Sequence, residues 1–215
     1  MHFFEYEQSL YGRGLTIIGV DEAGRGALAG PVVAAAVVLD MRTIPAGIDD
    51  SKKLRPQQRS QLDTAIKASA IAWAVGWCSS GHIDEVNILQ ATFDAMHKAV
   101  NDCIRKVDQP PEMCHLLIDG NRFRPHAAPH TTVVHGDALC VSIAAASILA
   151  KVHRDTVMAG EVDRMYPAYG FARHKGYGTS VHRKAIAMHG PCPEHRRTFI
   201  SGIETPGDNQ FDDRR

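Results

Sequence analysis

The chain has no C-x-x-C pair, and its five cysteines (Cys78, Cys103, Cys114, Cys140, Cys192) are odd in number and widely spaced. That usage argues against a disulfide framework and against zinc, and points to reduced thiols in a cytoplasmic protein. No apolar run reaches the length of a membrane span. The opening Met1-His2-Phe3-Phe4-Glu5 is acidic and lacks the long apolar core of a secretory signal. No internal repeat is visible. Net charge is missing too, with 24 Lys/Arg against 24 Asp/Glu. Taken whole, this balance gives no sign of a polyanionic partner.

The charge that is present is unevenly placed. Residues 1–150 carry a net −3, residues 151–200 a net +5 with five histidines, and residues 201–215 a net −2. The basic excess therefore falls on one segment, as a local phosphate-binding face requires. A solvated helical surface would look the same, and charge alone does not choose. The 215 residues, 44% of them hydrophobic, suit one domain with an ordinary core better than two.

The stretch Ile17–Asp40, IIGVDEAGRGALAGPVVAAAVVLD, organises the rest. Ile17, Ile18 and Val20 form a short apolar run, as expected of a strand covered on both faces. It delivers Asp21 and Glu22 where Gly24, Gly26 and Gly30 bend the chain into a second apolar run, Pro31 to Leu39. The glycines invite a dinucleotide-binding reading. That motif needs a helix after the glycines to hold a pyrophosphate, whereas Pro31-Val32-Val33 suits a strand and the two acids would repel the phosphates. A tight turn, or close backbone approach to a ligand, fits better.

Further along, Pro56 suits the first turn of a helix to about Ser69, and Ile71–Trp77 reads as a third strand. Apolar residues at Val86, Leu89, Phe93, Met96, Val100 and Ile104 space an amphipathic helix from Asp84, ended by Pro110-Pro111. His115–Ile118 is a short strand leading to Asp119-Gly120, and Thr131–Val134 another, with Asp137 just beyond. Ala138 to about Met165 reads as one long helix, small-sided in the middle where it must approach the sheet closely. Residues 166–179 read as an ordered loop, followed by short helices near 179–189 and 193–200. Residues 1–14 suggest a short lead-in helix, and 204–215 a disordered tail.

Three segments thus end in carboxylates: Asp21/Glu22, Asp119 and Asp137. Strand ends on one side of a sheet are where α/β proteins place their sites. Four clustered carboxylates cannot all stay ionised without cations. Two divalent ions resolve that repulsion and supply phosphodiester hydrolysis, and oxygen-only ligands favour Mg²⁺ or Mn²⁺. Asp21, Glu22 and Asp119 are the expected metal ligands, with Asp137 the fourth catalytic acid. Successive strand residues point to opposite faces, so Asp21 and Glu22 share a site only where the strand is turning, or if Glu22 contributes partly through its backbone.

The stretch around Asp21-Glu22-Ala23-Gly24-Arg25-Gly26 resembles the N-terminal signature of the ribonuclease HII family. So do Asp49-Asp50-Ser51-Lys52-Lys53-Leu54, Leu117–Asn121, and Gly136-Asp137 with Ser142–Val152 and Arg154-Asp155. Tyr169-Gly170-Phe171, His174–Thr179 and His195-Arg196-Arg197 complete the set, in the family's order, over about 17–199. The resemblance implies an α/β ribonuclease H-like fold: a mixed five-stranded sheet flanked by helices, with a small helical C-terminal part at about 165–200 of a catalytic domain spanning 1–200.

It also implies an endonuclease for RNA–DNA hybrids and for single ribonucleotides in duplex DNA, leaving 3′-hydroxyl and 5′-phosphate ends. Gly24-Arg25-Gly26 would read the ribose 2′-hydroxyl, the group that separates RNA from DNA. Tyr177 would pack on the next deoxyribose, although Tyr166 and Tyr169 lie close by and a loop aromatic can simply cap a core. Lys53, Lys175 and Arg196 are expected phosphate contacts. His135 stands where many relatives carry lysine, which would weaken a phosphate contact or make it depend on pH. His189-x-x-Cys192-x-x-His195 has zinc-like spacing, but Pro191 and Pro193 interrupt it. A catalytically dead hybrid-binding module would require loss of an acid, and all four positions are filled. A glycosidase or small-molecule phosphatase could also use paired acids. The expected partners are RNA–DNA hybrid and ribonucleotide-containing duplex DNA, with no membrane, and a monomer is the default.

Overall fold

The computed structural model describes Glu7 and residues 10–203. The lead-in helix expected over 1–14 therefore falls mostly outside the described residues, as does the tail from 204. The chain runs β1 (Thr16–Ala23), β2 (Val32–Val38), α1 (Pro56–Ser69), β3 (Ala72–Cys78), α2 (Ser80–Val86), α3 (Ile88–Val107), β4 (Cys114–Asp119) and β5 (His130–Val133), then α4 (Val141–Val157) and α5 (Ser180–His189). The five strands form one mixed sheet in the order β3-β2-β1-β4-β5. β1, β2 and β3 pair antiparallel, while β4 and β5 run parallel to β1. The expected ribonuclease H-like architecture is therefore the one observed.

Alternation along the strands decides which helix covers which face. Ile18, Val20, Leu116 and Ile118 turn toward α3, which lays Ala91, Ala95, Met96, Ala99, Val100 and Cys103 on the sheet. Val33, Ala35 and Val37 of β2 turn the other way, to Ala145, Ile148 and Leu149 of α4 and to Leu62 and Ile66 of α1. Each fully buried branched side chain stabilises the fold by about 1.5–3 kcal/mol. The helices sit close because a glycine lies beneath each. A Cβ on Gly76 would come within 2.2 Å of the Ala95 carbonyl oxygen, and one on Gly19 within 2.1 Å of the Ser142 carbonyl carbon. The small residues of α4 are thus explained by contact with the sheet.

Two helices are broken where the sequence pattern runs on. Asn87, at φ +69°, accepts hydrogen bonds from Leu89 N–H and Gln90 N–H. The apolar spacing therefore spans two helices, α2 and α3, with a fresh N-cap between them. The long helix expected from Ala138 to Met165 is also divided. A single turn, Gly136–Leu139, ends at extended Cys140; α4 follows, and after Val157 the chain widens into a π turn, Met158–Val162. That turn faces a separate apolar cluster of Leu28, Ala29, Met158, Val162, Tyr169, Phe171 and Ile186. It is the core of the C-terminal part.

Candidate active site

The parallel ladder of β1 and β4 ends at the Val20–Ile118 pair. Asp21 and Asp119 are the next residues on the two strands, and alternation puts both on the α4 face. Asp119 Oδ1 accepts the Gly136 N–H at 2.7 Å, which fixes the turn bearing Asp137 beside it. Asp21, Glu22 and Asp119 line one cavity of about 440 Å³ with Gly24, Arg25, Ser51, Lys52, Ser147, Lys151 and Tyr177. Asp137 joins this group through Lys52, whose Nζ donates to its Oδ2 at 3.2 Å. Glu22 leans to the other side of the strand end. It also borders a second cavity of about 310 Å³ with Phe93, Met96 and Asn121, and accepts from Arg25 at 3.2 Å. The adjacent carboxylates border one cavity just past the end of the β1–β4 ladder, while β1 is still paired with β2.

Asp21 is 5% exposed. Burial, then the charges of Glu22, Asp119 and Asp137, push its pKa well above the usual carboxylate range. Burial also raises Glu22, against the pull of Arg25, and raises Asp119 together with the charge of Asp137. Burial works against the Lys52 ammonium, but Asp137, Asp50 and Asp21 outweigh it and raise its pKa. The donor set is all oxygen, anionic, and under-compensated by its lysine and arginine. Hard divalent cations fit such a set.

The turn after β1 is held by two buried arginines. Gly24 has φ +96°, and a Cβ there would meet Arg154 Nε at 2.0 Å. Arg154 donates to the carbonyls of Pro31, Lys175 and Ala29. Arg196 donates to those of Gly24, Arg25 and Gly30.

A family model described as Ribonuclease HII matches residues 18–201. The chain belongs to the ribonuclease HII family. It is 50% identical over 208 residues to the ribonuclease HII of Geobacter sulfurreducens, covering 96% of this chain and 93% of that one. The crystal structure of the ribonuclease H2 from Pyrococcus horikoshii OT3 superposes with a TM-score of 0.66 at 26% identity, over 85% of this chain and 92% of that one. A Bst ribonuclease HIII in complex with Mn²⁺ shares the fold at 20% identity, with a TM-score of 0.58, over 88% of this chain and 63% of that one.

The roles implied by the ribonuclease HII resemblance meet the structure unevenly. Gly24, Arg25 and Tyr177 border the acid cavity, while Gly26 follows on the same turn. Of the neighbouring tyrosines, Tyr169 is buried and donates to the Gly190 carbonyl, and Tyr166 packs on the C-terminal cluster. Arg196 is fully buried, and its guanidinium donates to three carbonyls of the turn, so it shapes that turn. Lys53 pairs with Asp49 on the surface at 3.2 Å, and Lys52 is the lysine of that loop that enters the site. Lys175 lines a neighbouring cavity of about 470 Å³ with Arg59, Lys151 and Arg173. His135 is exposed, at φ +57°, and starts the turn that carries Asp137.

Sequence reasoning assigned no role to Ser147, Lys151 or Arg154. Ser147 donates to Ser51 Oγ at 2.6 Å and seats the Lys52 loop on α4. Lys151 sits 5.0 Å from the centre of the Tyr177 ring. The signal for Lys151 and Arg154 was the basic excess after residue 150, which does not distinguish site, scaffold and surface. Away from the acids, Cys78, His82 and Asp94 also gather their donor atoms. There Asp94 already holds Arg124 at 2.7 Å and His82 at 2.8 Å, and Lys98 lies 3.6 Å from the Cys78 sulfur. Two cations facing the trio make it a hydrogen-bonded joint between β3, α2 and α3.

Proposed function

We propose that the chain is a divalent-metal-dependent endoribonuclease that hydrolyses the RNA strand of RNA–DNA hybrids and incises 5′ to single ribonucleotides in duplex DNA. The observation that carries the reading is the convergence of Asp21, Glu22 and Asp119 on one cavity, with Asp137 tied to it through Lys52, in a chain of this family. Asp21, Glu22 and Asp119 would hold Mg²⁺ or Mn²⁺, with Asp137 completing the set. Bound divalent ions supply Lewis-acid activation of water and charge stabilisation in an in-line displacement that leaves 3′-hydroxyl and 5′-phosphate ends.

The chain's own residues position the scissile strand. Lys52 can exchange Asp137 for a phosphate oxygen as substrate enters, because its side chain is far more exposed than that of the carboxylate it meets. The Gly24-Arg25-Gly26 backbone, free of Cβ atoms at both ends, lets the ribose edge approach to hydrogen-bond distance. Tyr177, backed by Lys151 and Arg154, offers its ring to the following deoxyribose. Residues 1–200 act as the catalytic unit and 165–200 as its substrate-binding part. The test is cleavage of a duplex carrying one ribonucleotide with Mg²⁺ or Mn²⁺. A nick 5′ to the ribonucleotide, lost with chelator and lost in Asp21→Asn while the duplex still binds, is the expected outcome. Retained cleavage by Asp21→Asn would overturn the reading.

A further inference from the structure

The turn Ala27–Gly30 is gripped from both sides by the C-terminal part. On one side Ala27 bridges Tyr177, and the Leu28 N–H donates to the Gly176 carbonyl at 2.8 Å. On the other, Ala29 bridges His195, and the Gly30 N–H donates to the Glu194 carbonyl at 2.8 Å. Two buried imidazoles join these grips to each other. His195 Nε2 and His182 Nε2 are 3.0 Å apart. His182 Nδ1 lies 3.0 Å from the Tyr177 carbonyl oxygen, and the Cys192 N–H lies 2.9 Å from His195 Nδ1.

The two ends of this chain fix its polarity. A carbonyl can only accept, so His182 Nδ1 carries the proton and donates to Tyr177. His195 Nδ1 faces both the Cys192 N–H, at 2.9 Å, and the Cys192 carbonyl oxygen, at 3.3 Å; the shorter contact takes Nδ1 as acceptor, so Nδ1 is bare and the Nε2–H donates to His182 Nε2. Each ring is a single neutral tautomer, and a second proton on either would set donor against donor. Burial agrees, holding both imidazoles down to about 4. His174 stacks on His182 with ring centroids 4.3 Å apart. Arg183 and Arg197 add positive charge nearby, which further disfavours a proton.

We propose that His182 and His195 are positioning residues for Tyr177, a neutral relay that locks the tyrosine loop to the Ala27–Gly30 turn and so sets selectivity for single embedded ribonucleotides. The inference rests on the reading that Tyr177 packs on the deoxyribose beside the ribonucleotide. The relay fixes the tyrosine's main chain, and the ring follows because Gly176 and Gly178 on either side offer no side-chain hold of their own.

The test compares kcat/KM on a duplex with one ribonucleotide against a continuous RNA–DNA hybrid. His182→Phe keeps the ring stacked on His174 but removes both nitrogens. It should lower the single-ribonucleotide rate about tenfold relative to the hybrid rate, as loose placement of a substrate-positioning group does. Tyr177→Ala should shift the same ratio, and the double variant should shift it no further. An unchanged ratio in His182→Phe with a shifted ratio in Tyr177→Ala overturns the relay and leaves the tyrosine reading standing. An unchanged ratio in Tyr177→Ala overturns both. Nitrogen NMR of the unsubstituted protein tests the relay without a variant. The expected pattern is a proton on Nδ1 of His182 and on Nε2 of His195, and the reverse tautomer on either overturns it.

Discussion

Asp21 and Arg154 are both buried ions within reach of the Gly24–Pro31 turn, and their surroundings differ in kind. Arg154 and its companion Arg196 face no carboxylate, yet their guanidinium groups meet carbonyls from the turn and from Lys175. Their charges still repel: burial, then the neighbouring Arg154, bring Arg196 down to about 9. Asp21 instead receives one N–H, from Glu22 at 2.7 Å, and the charges of Glu22, Asp119 and Asp137 around it raise its pKa. The arginine region is complete within the chain and serves as scaffold. The acid region is under-compensated within the chain, and that unmet demand for cations is what supports proposing it as the working site.

The comparison can be broken most severely at Asp21. Asp21→Asn should lower cleavage about a thousandfold or more while the thermal midpoint holds or rises, because a desolvated, repelled charge is gone. Incision assays and calorimetry measure the two effects, and a stable variant that still cuts would contradict it. Arg154→Met should do the opposite. Three carbonyls lose their donor, so stability should fall by about 3 kcal/mol or more in urea denaturation. A variant as stable as the parent would show that the turn does not need the arginine.

A third expectation concerns pH. His182 and His195 titrate near 4 when folded and near 6.5 when unfolded. Between those values the unfolded chain binds more protons, so their contribution is fully present above about pH 6.5 and is lost as pH falls toward 4. The loss should be on the order of 6 kcal/mol for the pair, read from denaturation curves at several pH values and reduced in His182→Phe. A stability flat across that window would contradict the neutral tautomers. The smallest effect separates neighbouring lysines. Lys52→Ala should lower kcat/KM about tenfold, whereas Lys53→Ala, removing an exposed pair with Asp49, should change it less than about twofold. Equal effects would mean that the loop inverts on binding substrate.

Much of the site was legible because carboxylates following apolar runs have few structural uses. Asp21 and Asp119 come late in buried strands and Asp137 in the turn after β5, and the chain brings them together at the C-terminal ends of the neighbouring strands β1 and β4. Pro56 marked the start of α1 at the residue observed. The helix breaks were less legible. Asn87 is a good N-cap, but apolar spacing runs across it, and periodicity does not register a cap that restarts the same face. The burial of Arg196 was not legible, because arginine is mostly a surface residue and nothing local announces a guanidinium buried among carbonyls.

Composition, strand-end acids and glycine-bearing turns were therefore decided by the sequence itself. They depend on local chemistry: what can be buried, what can bend, and what repels. Which lysine meets Asp137, which tyrosine borders the acids, and which arginines brace the turn were decided only in three dimensions. Those choices depend on contacts between residues far apart in the chain, such as Arg196 with Gly24 and Ser147 with Ser51, where the packing of helix on sheet sets the distance.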